Sequence, residues 1–272
     1  MWYTVRIIRD AQEAQSAMND GNLYHLGFDP AQFRGEFAIL PGDPGRVEGI
    51  AAYFTDAAPV AYHREFKIWR GYADERRKHP VFVCSTGIGG PGAAIAVEEL
   101  HMAGVTHFIR VGTCGAMQTE ILSGDLVIAQ SAVRQEGTGL HYAPIEYPAT
   151  ADFEITAALR GAAAEIGARS HVGVVQCKDS FYGQHSPARM PVAYELEQKW
   201  EAWKKLGVLA SEMESAAIYT SAAALGCKAG CVLHVVWNQE RAAAGLDNPE
   251  VHDTSLAVKC AARAVKMLCG NR

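Results

Sequence analysis

The chain has 272 residues and a formal net charge of -5, and 49% of its residues are hydrophobic. This composition is ordinary for a globular protein, and the length suits one domain with a large core. The negative charge argues against general binding to nucleic acid or to an anionic membrane surface. No apolar run has the length of a membrane span, and the first residues lack the apolar run of a signal peptide.

Seven cysteines without a regular spacing favour a reducing compartment over a disulfide scaffold. We therefore expect a soluble cytoplasmic protein that forms a single domain over residues 1–272, with residues 1–23 as a polar lead-in. From residue 37 onward, predicted strands alternate with predicted helices, which is typical of an α/β fold.

The first strand–helix unit is built on Phe37–Leu40 and the loop PGDPGR at 41–46. In such a unit the start of the helix is a natural place for an anionic ligand. Arg46 at this position opposes the helix dipole, so it is unfavourable for the local helix and points weakly to function. The alternative is a structural turn with an exposed arginine.

The next strand, Val81–Ser85, leads into glycines that match the dinucleotide-binding fingerprint, namely Gly87, Gly89 and Gly92. That fingerprint requires an acidic residue at the end of the following strand, where this chain has Arg110 instead. Pro91 also removes an N–H that would face a pyrophosphate. A nicotinamide-dependent oxidoreductase is therefore a weak alternative, and the glycines more simply allow close backbone packing or approach to a small ligand.

The stretch His107–Ala116 is the feature around which we expect the site to form. It is predicted as a buried strand, and an unpaired guanidinium at Arg110 would be costly to bury there. We therefore expect an anion to meet it. The turn with Gly112 and Gly115 offers backbone N–H groups, and Thr113 adds a hydroxyl, which together suit a small oxyanion. The alternative is that Arg110 pairs with a carboxylate of the protein.

A second group of candidate residues follows the strand His171–Gln176. Lys178, Phe181 and Gln184 come just after its end, where open α/β sheets bind ligands. Phe181 could stack on a ring, and the Gln184 amide could pair with an imide edge. The alternative is a polar loop whose phenylalanine covers the core. Residues 131–150 are rich in turn formers and are predicted as a surface excursion near a site.

Two long helices are expected to pack into the core. The helix predicted over Tyr194–Leu206 would do so through Trp200 and Trp203, and the last helix, Asp253–Leu268, through residues that include Leu256.

Between these helices, a short strand is followed by a helix over Ala216–Leu225. Ser211 and Glu214 have the spacing of a capping box at its start, which leaves Glu212 unexplained. Carboxylates at such a junction would also suit the hydroxyls of a sugar. No metal-ligand, nucleophile-elbow or Walker motif occurs, so metal hydrolysis and covalent catalysis are poorly supported.

Five motifs in this order resemble the nucleoside phosphorylase family: PGDPGR at 41–46, HREF at 63–66, STGIGGP at 85–91, RVGTCG at 110–115 and EMES at 212–215. The resemblance covers about residues 24–270. It implies a single-domain, three-layer α/β/α fold around a mixed, partly barrel-like central sheet. It also implies a homohexamer, a trimer of dimers, in which neighbouring subunits share active sites.

Carried over residue by residue, the resemblance implies a phosphate site made of Gly42, Arg46, Arg64, Arg110 and Thr113, with Arg64 reaching it from the adjacent subunit. It implies a nucleoside site made of His25, Cys114, Gly115, Phe181, Gln184, Arg189, Glu212, Met213, Glu214 and Trp237. His25 would again come from the neighbour, and Glu214 would bind the ribose 2′- and 3′-hydroxyls. Glu65 matches a position that joins a potassium site in some members. No organic cofactor is implied.

The chain departs from the family pattern at the base. Pyrimidine-specific members carry an arginine two residues after the glutamine, where this chain has Ser186, and Gln239 stands where they commonly carry another arginine. Lys178 or Arg189 could supply the missing charge, and we favour Lys178 because its strand leads directly into the base loop. The segment 237–239 (WNQ) also lacks the Ser-Asp pair of purine-specific relatives, which favours a pyrimidine.

The resemblance thus implies reversible cleavage of uridine by phosphate, with Arg110, Lys178, Gln184 and Glu214 taking part in catalysis. The nearest alternative is a purine nucleoside phosphorylase or a nucleosidase of the same fold. A non-catalytic nucleoside-binding protein would keep the same pocket. The choice among uridine, deoxyuridine and thymidine stays open.

Overall fold

The computed structural model describes residues 21–270, so the predicted lead-in lies outside the described residues as far as residue 20. Within the described range, one sheet contains the strands β1 (Phe37–Pro41), β2 (Thr55–His63), β3 (Phe66–Tyr72), β4 (Pro80–Cys84), β5 (His107–Ala116), β6 (Leu126–Gln135), β7 (Ala149–Thr150), β8 (Ser170–Lys178), β9 (Ala210–Glu212) and β10 (Lys228–Asn238). The helices are α1 (Val47–Ala51), α2 (Gly90–Met102), α3 (Phe153–Glu165), α4 (Phe181–His185), α5 (Ala193–Lys205), α6 (Ser215–Ala224), α7 (Gln239–Ala243) and α8 (Ser255–Gly270).

Five strands of this sheet close into a ring. The order runs β10-β6-β8-β9-β5, and β5 pairs in turn with β10. This closing pair is parallel and extends from His107↔Lys228 to Ala116↔Asn238. From β5 the sheet continues as an open layer through β1, β4, β3 and β2. The expected partly barrel-like mixed sheet is confirmed.

Helices cover both faces of the sheet because its strands carry apolar side chains on both sides. Along β1, Ala38 and Leu40 join one buried cluster, whereas Phe37 and Ile39 join the other, as the two-residue period of a strand requires. Helices α2 and α6 pack on the first face, and α1, α3 and α8 pack on the second. This arrangement confirms the predicted three-layer α/β/α architecture.

Helix α5 differs from its prediction, because it has no buried residue. The core assignment of Trp200 and Trp203 is therefore wrong. Both indoles are half-buried, and their N–H groups donate to Glu240 (2.8 Å) and to Gln135 (3.4 Å). A large ring with one polar atom is well suited to such a rim position. The assignment of Leu256 in α8 is also wrong, since its side chain is 38% exposed.

The surface excursion predicted at 131–150 is shorter than expected, because residues 131–135 belong to β6. The remaining loop, 136–148, folds over the side chain of Arg134. That guanidinium donates to the carbonyl oxygens of Gly139, Ala143, Pro144 and Tyr147. One side chain thus gathers four carbonyl groups of the loop, so Arg134 organises this segment.

Two further expectations concern disulfide bonds and membrane-spanning helices. All seven cysteines are free thiols. Across residues 21–270, no helix combines the length and the apolar character that crossing a bilayer would need.

The contact between α3 and β10 gives a first prediction. A Cβ atom at Gly230 would lie 2.3 Å from Ile155 Cγ2 and 3.2 Å from Ile155 Cβ. Because Ile155 is buried in a close-packed layer, Gly230→Ala should lower the free energy of unfolding by about 1–3 kcal/mol. Chemical denaturation followed by circular dichroism measures this change.

Gly49→Ala is the matched control, because Gly49 lies in α1 and a Cβ there would have nothing within 4 Å. Alanine in a helix should leave stability unchanged or raise it by up to about 1 kcal/mol. Equal denaturation midpoints for the two variants would contradict the packing argument.

Candidate active site

A cavity of about 760 Å³ opens where β1, β5, β8, β9 and β10 end. Most of the predicted site residues line it, namely Gly42, Arg46, Arg110, Thr113, Cys114, Gly115, Lys178, Phe181, Glu212, Met213, Glu214 and Trp237. The ring closure brings them together, because it places the ends of strands that are distant in sequence around one opening.

One end of the cavity carries two guanidinium groups, those of Arg46 and Arg110. Arg46 is the last residue of a short 3₁₀ turn, which is capped by the Asp43 carboxylate as it accepts a hydrogen bond from the Gly45 N–H (2.7 Å). Burial lowers the pKa of Arg46 and the charge of Arg110 adds to this effect, although Asp43 opposes both. Two cations that face one space favour a shared anion there.

Glycine is required at two positions beside these arginines. A Cβ at Gly112 would lie 2.6 Å from Arg110 Nη2, so only glycine leaves room for that side chain. A Cβ at Gly42 would lie 3.0 Å from the carbonyl oxygen of Gly87, whose N–H donates to the Gly42 carbonyl (3.0 Å).

Arg110 itself is 4% exposed and lies between two carboxylates. Its Nε donates to Glu212 Oε2 (2.9 Å), and its Nη2 forms an ion pair with Glu214 Oε2. Burial alone would lower the pKa of Arg110, but the charges of Glu214 and Glu212 outweigh it and raise that pKa. The pairing with protein carboxylates, given above as the alternative for Arg110, is thus present, and the binding of a small anion stays a prediction. A guanidinium has five N–H donors, so others remain to serve an anion in the cavity.

Glu212 is the residue that caps helix α6. Its carboxylate accepts hydrogen bonds from the backbone N–H groups of Glu214 (2.9 Å) and Ser215 (3.0 Å), and from the Ser215 hydroxyl. The predicted capping box is therefore wrong. Ser211 lies within β9, and Glu214 precedes the helix without a side-chain cap.

The two carboxyl groups differ in their electrostatics. Burial opposes ionisation of Glu212, but Arg110 and the Ser215 donors prevail and lower its pKa. Burial dominates at Glu214 and, with the charge of Glu212, raises its pKa despite Arg110. The Gly89 N–H donates to Glu214 Oε1 (2.5 Å). Close backbone packing occurs in the same loop at Gly92, where a Cβ atom would lie 2.4 Å from the carbonyl oxygen of Thr86, whereas Gly87 lines the cavity.

The other end of the cavity has an aromatic wall. Helix α4 is capped by Ser180, whose hydroxyl accepts from the Gly183 N–H (3.0 Å). The Phe181 ring is 50% exposed and lies 4.3 Å from the His185 ring, which lies 6.4 Å from the Trp237 ring. Phe181 therefore faces the cavity and does not cover the core. His185 was not predicted, although it directly follows Gln184 in the base loop.

Two predicted base residues lie outside this cavity. Gln184 lines a second cavity of about 660 Å³, and Arg189 is exposed, with its guanidinium 5.1 Å from the Tyr182 ring centre. Lys178 lines both cavities and is 6% exposed, and burial lowers its pKa. Between the two cations considered for the base, Lys178 is the one at the cavity.

The residues expected to act from a neighbouring subunit also lie outside the cavity. His25 Nδ1 hydrogen-bonds to Glu99 Oε1 (2.6 Å), and the carbonyl oxygen of His25 contacts His63 Nδ1 (2.8 Å). Arg64 and Glu65 follow His63 at the exposed β2–β3 turn. Their roles toward a second subunit stay predictions. Residues 21–270 contain no group of three or more His, Cys, Asp or Glu that could hold a metal ion.

Ser211 is a second lining residue that was missed as a site residue. Its hydroxyl accepts from Lys178 Nζ (2.6 Å) and donates to Gln184 Oε1 (2.5 Å). The signal for it in the sequence was its position directly before the acidic motif at 212–215, but the capping-box spacing gave it a different role.

Comparison with known proteins gives consistent matches. The family model for the phosphorylase superfamily matches residues 36–269. A uridine phosphorylase of Treponema pallidum (strain Nichols) is 51% identical over 245 residues, which cover 90% of this chain and 93% of that protein. A uridine phosphorylase of Escherichia coli (strain K12) is 42% identical over 254 residues, covering 90% and 99%. A guanosine phosphorylase of Halorubrum lacusprofundi is 41% identical over 203 residues, covering 75% and 78%.

The opposite pKa shifts of Glu212 and Glu214 give the second prediction. The lowered pKa of Glu212 means that its ionised form stabilises the fold, and that this contribution is lost as the pH falls. Glu212→Gln should lower the free energy of unfolding near neutral pH by about 3–5 kcal/mol, the scale for breaking a buried ion pair. The variant should also lose less stability than the wild type on acidification.

Glu214→Gln is the contrasting variant. The raised pKa of Glu214 means that its ionisation costs stability as the pH rises. Removing that group should therefore make stability increase more steeply from acid to neutral pH than in the wild type. Urea denaturation across this range measures both slopes, and a change of the same sign in the two variants would contradict the assignment.

Proposed function

The chain belongs to the phosphorylase superfamily, and on that premise we propose that it catalyses the reversible phosphorolysis of uridine. This pentosyltransferase reaction yields uracil and ribose 1-phosphate, and relatives that are 42–51% identical over 90% of the chain are named for it. The observation that carries the proposal is that one cavity is lined by two arginines, a pair of carboxylates and an aromatic cluster.

Phosphate binds at the end of the cavity formed by Arg46 and Arg110, with Gly42 and Thr113 beside it. The arginines hold the phosphate dianion in line with C1′ of the nucleoside, which makes the attack nearly unimolecular. The sugar acquires positive charge as the glycosidic bond breaks, and the dianion stabilises it. No protein nucleophile is required. Burial raises the pKa of the Cys114 thiol, which keeps this lining residue uncharged.

The ribose binds to Glu214 rather than to Glu212. Glu212 already accepts from Arg110, from the Glu214 N–H, and from both the N–H and the hydroxyl of Ser215. These donors occupy the roughly four acceptor sites of a carboxylate. Glu214 accepts from Arg110 and from the Gly89 N–H, so it retains sites for the 2′- and 3′-hydroxyls. Glu212 thus positions Arg110. Met213, which lies between the two glutamates in sequence, also lines the cavity.

The base lies against Phe181 and Trp237, with the buried Lys178 ammonium at the same end. Uracil leaves with negative charge, which Lys178 stabilises, and the Gln184 amide would contribute from the adjoining cavity, where it is hydrogen-bonded to Ser211 of this one (2.5 Å). Lys178 therefore takes the part of the arginine that pyrimidine-specific relatives carry.

The base preference is inferred from Asn238, the last residue of β10. Its Nδ2 donates to the carbonyl oxygens of Gln118 (2.8 Å) and Ile121 (2.7 Å), and its Oδ1 accepts from the backbone N–H groups of Glu240 and Arg241. This amide is fully engaged with the protein and has no proton to give to a purine ring. Uridine is therefore favoured over guanosine, although one relative is named a guanosine phosphorylase.

The proposal extends to assembly. A homohexamer would let His25 and Arg64 complete the site of a neighbouring subunit, and their location outside the cavity supports such a role. Glu65 would bind a potassium ion at the same interface. The enzyme would work in the cytoplasm with phosphate as co-substrate and without an organic cofactor.

Product analysis of the uridine reaction, with and without phosphate, tests the function. Uracil and ribose 1-phosphate should form only with phosphate, and thymidine, inosine and guanosine run in parallel define the base and sugar preference. Free ribose in phosphate-free buffer would indicate a nucleosidase. Binding of uridine without turnover would indicate a non-catalytic protein, and faster cleavage of guanosine would indicate a purine enzyme.

Arg110→Ala gives the third prediction. Loss of the charge that holds phosphate should remove about 2–4 kcal/mol of transition-state stabilisation. The value of kcat/KM for phosphate should fall accordingly. Steady-state kinetics with phosphate as the varied substrate measures it. Arg263→Ala is the control, because Arg263 pairs with Glu165 on an exposed surface and should keep wild-type kinetics. Unchanged turnover in the Arg110 variant would contradict its role.

The lowered pKa of Lys178 gives the fourth prediction. The protonated ammonium is the active form, so kcat should fall as the pH rises through a pKa below that of an ordinary lysine. Lys178→Arg should move this alkaline limb to higher pH, because arginine stays protonated. Lys199→Arg on the exposed part of α5 is the control. An alkaline limb that does not move in the Lys178 variant would contradict the assignment.

A further inference from the structure

A relay of three hydrogen bonds runs along the boundary between the two cavities. Lys178 Nζ donates to Ser211 Oγ (2.6 Å), Ser211 Oγ donates to Gln184 Oε1 (2.5 Å), and Gln184 Nε2 donates to Gln239 Oε1 (3.2 Å). Ser211 is 3% exposed and lines the first cavity, whereas Gln184 lines the second. Lys178 lines both, so the relay stands at their junction.

The backbone holds the middle of this relay in place. Ser211 is the central residue of β9, which pairs with β5 at Gly115 and with β8 at Gln176. Both neighbours belong to the closed ring, so the position of the hydroxyl is set by the sheet. Gln184, by contrast, lies on the five-residue helix α4 outside the sheet.

The charge of Lys178 fixes the direction of the relay. An ammonium group donates hydrogen bonds and cannot accept them, so the Ser211 oxygen is the acceptor in that contact. The Ser211 proton is then free to point at Gln184, which places the oxygen of the amide on the Ser211 side. The contact with Gln239 places the amide nitrogen on the opposite side.

We propose that Ser211 is a positioning residue that sets the orientation of the Gln184 amide and thereby selects bases that carry a proton on the ring nitrogen. With both ends fixed, the amide keeps one acceptor site and one N–H for a ligand. A ring N–H beside a carbonyl, as in uracil, matches that pair. Cytosine carries a lone pair on the same ring nitrogen, which would face the amide oxygen.

This inference rests on the proposed phosphorolysis of uridine and deepens it. In the Ser211→Ala variant, the Gln184 amide loses the hydrogen bond that holds its oxygen. The amide can then turn its N–H toward uracil or toward cytosine. We expect kcat/KM for uridine to fall about tenfold, the scale of one hydrogen bond to a group linked to a charge. We also expect measurable cleavage of cytidine and a lower ratio of uridine to cytidine activity.

The experiment compares kcat/KM for uridine and cytidine in the wild type and three variants, with thermal midpoints measured alongside. Ser211→Thr keeps the hydroxyl and should keep the wild-type ratio. Ser180→Ala is the matched control, because that serine caps α4 beside the relay without joining it. It should lower the thermal midpoint and leave the ratio unchanged.

The outcomes separate this inference from the function on which it rests. A wild type that does not cleave uridine in phosphate contradicts the function, and the relay role falls with it. With an active wild type, a Ser211→Ala variant that retains the wild-type ratio, or that still cleaves no cytidine, overturns the relay role alone. A ratio that falls equally in the Thr and Ala variants overturns it as well.

Discussion

The site depends on one buried ion cluster, in which the guanidinium of Arg110 lies between the carboxylates of Glu212 and Glu214. Each member would be costly to bury alone, and each is satisfied by the others and by backbone N–H groups. The cluster also joins separate elements, because Arg110 comes from β5, Glu212 ends β9, and Glu214 contacts the loop before α2 through Gly89. The geometry of the proposed phosphate and ribose subsites follows from this arrangement.

The two glutamates have different tasks although they are two residues apart. Glu212 is saturated with donors, and its pKa is lowered, so its ionised form is favoured and holds Arg110 and the start of α6. Glu214 has fewer partners and a raised pKa, so new hydroxyl donors would satisfy it. The two cations considered for the base also differ, because Lys178 is buried whereas Arg189 is exposed.

Much of the fold was accessible from the sequence, since apolar strands such as 37–40 and 107–111 are recognisable by composition alone. Arg110 could be predicted to meet an anion because burial of an unpaired charge is so costly. The role of Glu212 could not be predicted, because a spacing rule does not describe how far a carboxylate extends. Trp200 and Trp203 were misplaced because helical spacing is the same for a core face and for the rim of a cavity. Ser211 was missed as a partner of Gln184, which lies 27 residues away in the chain.

The residues proposed to bind phosphate and ribose and those proposed to bind the base lie on different kinds of element. Arg110 and Thr113 of the proposed phosphate subsite, and Glu212, which holds Arg110, lie on strands of the closed ring, which has no free edge along which a strand could slide. The base residues Phe181, Gln184 and His185 sit on one short helix that the ring does not contain. Mutations in that helix can therefore accumulate without disturbing the chemistry at the sugar. Such an arrangement favours evolutionary divergence in nucleobase preference while the bond-breaking machinery is inherited unchanged.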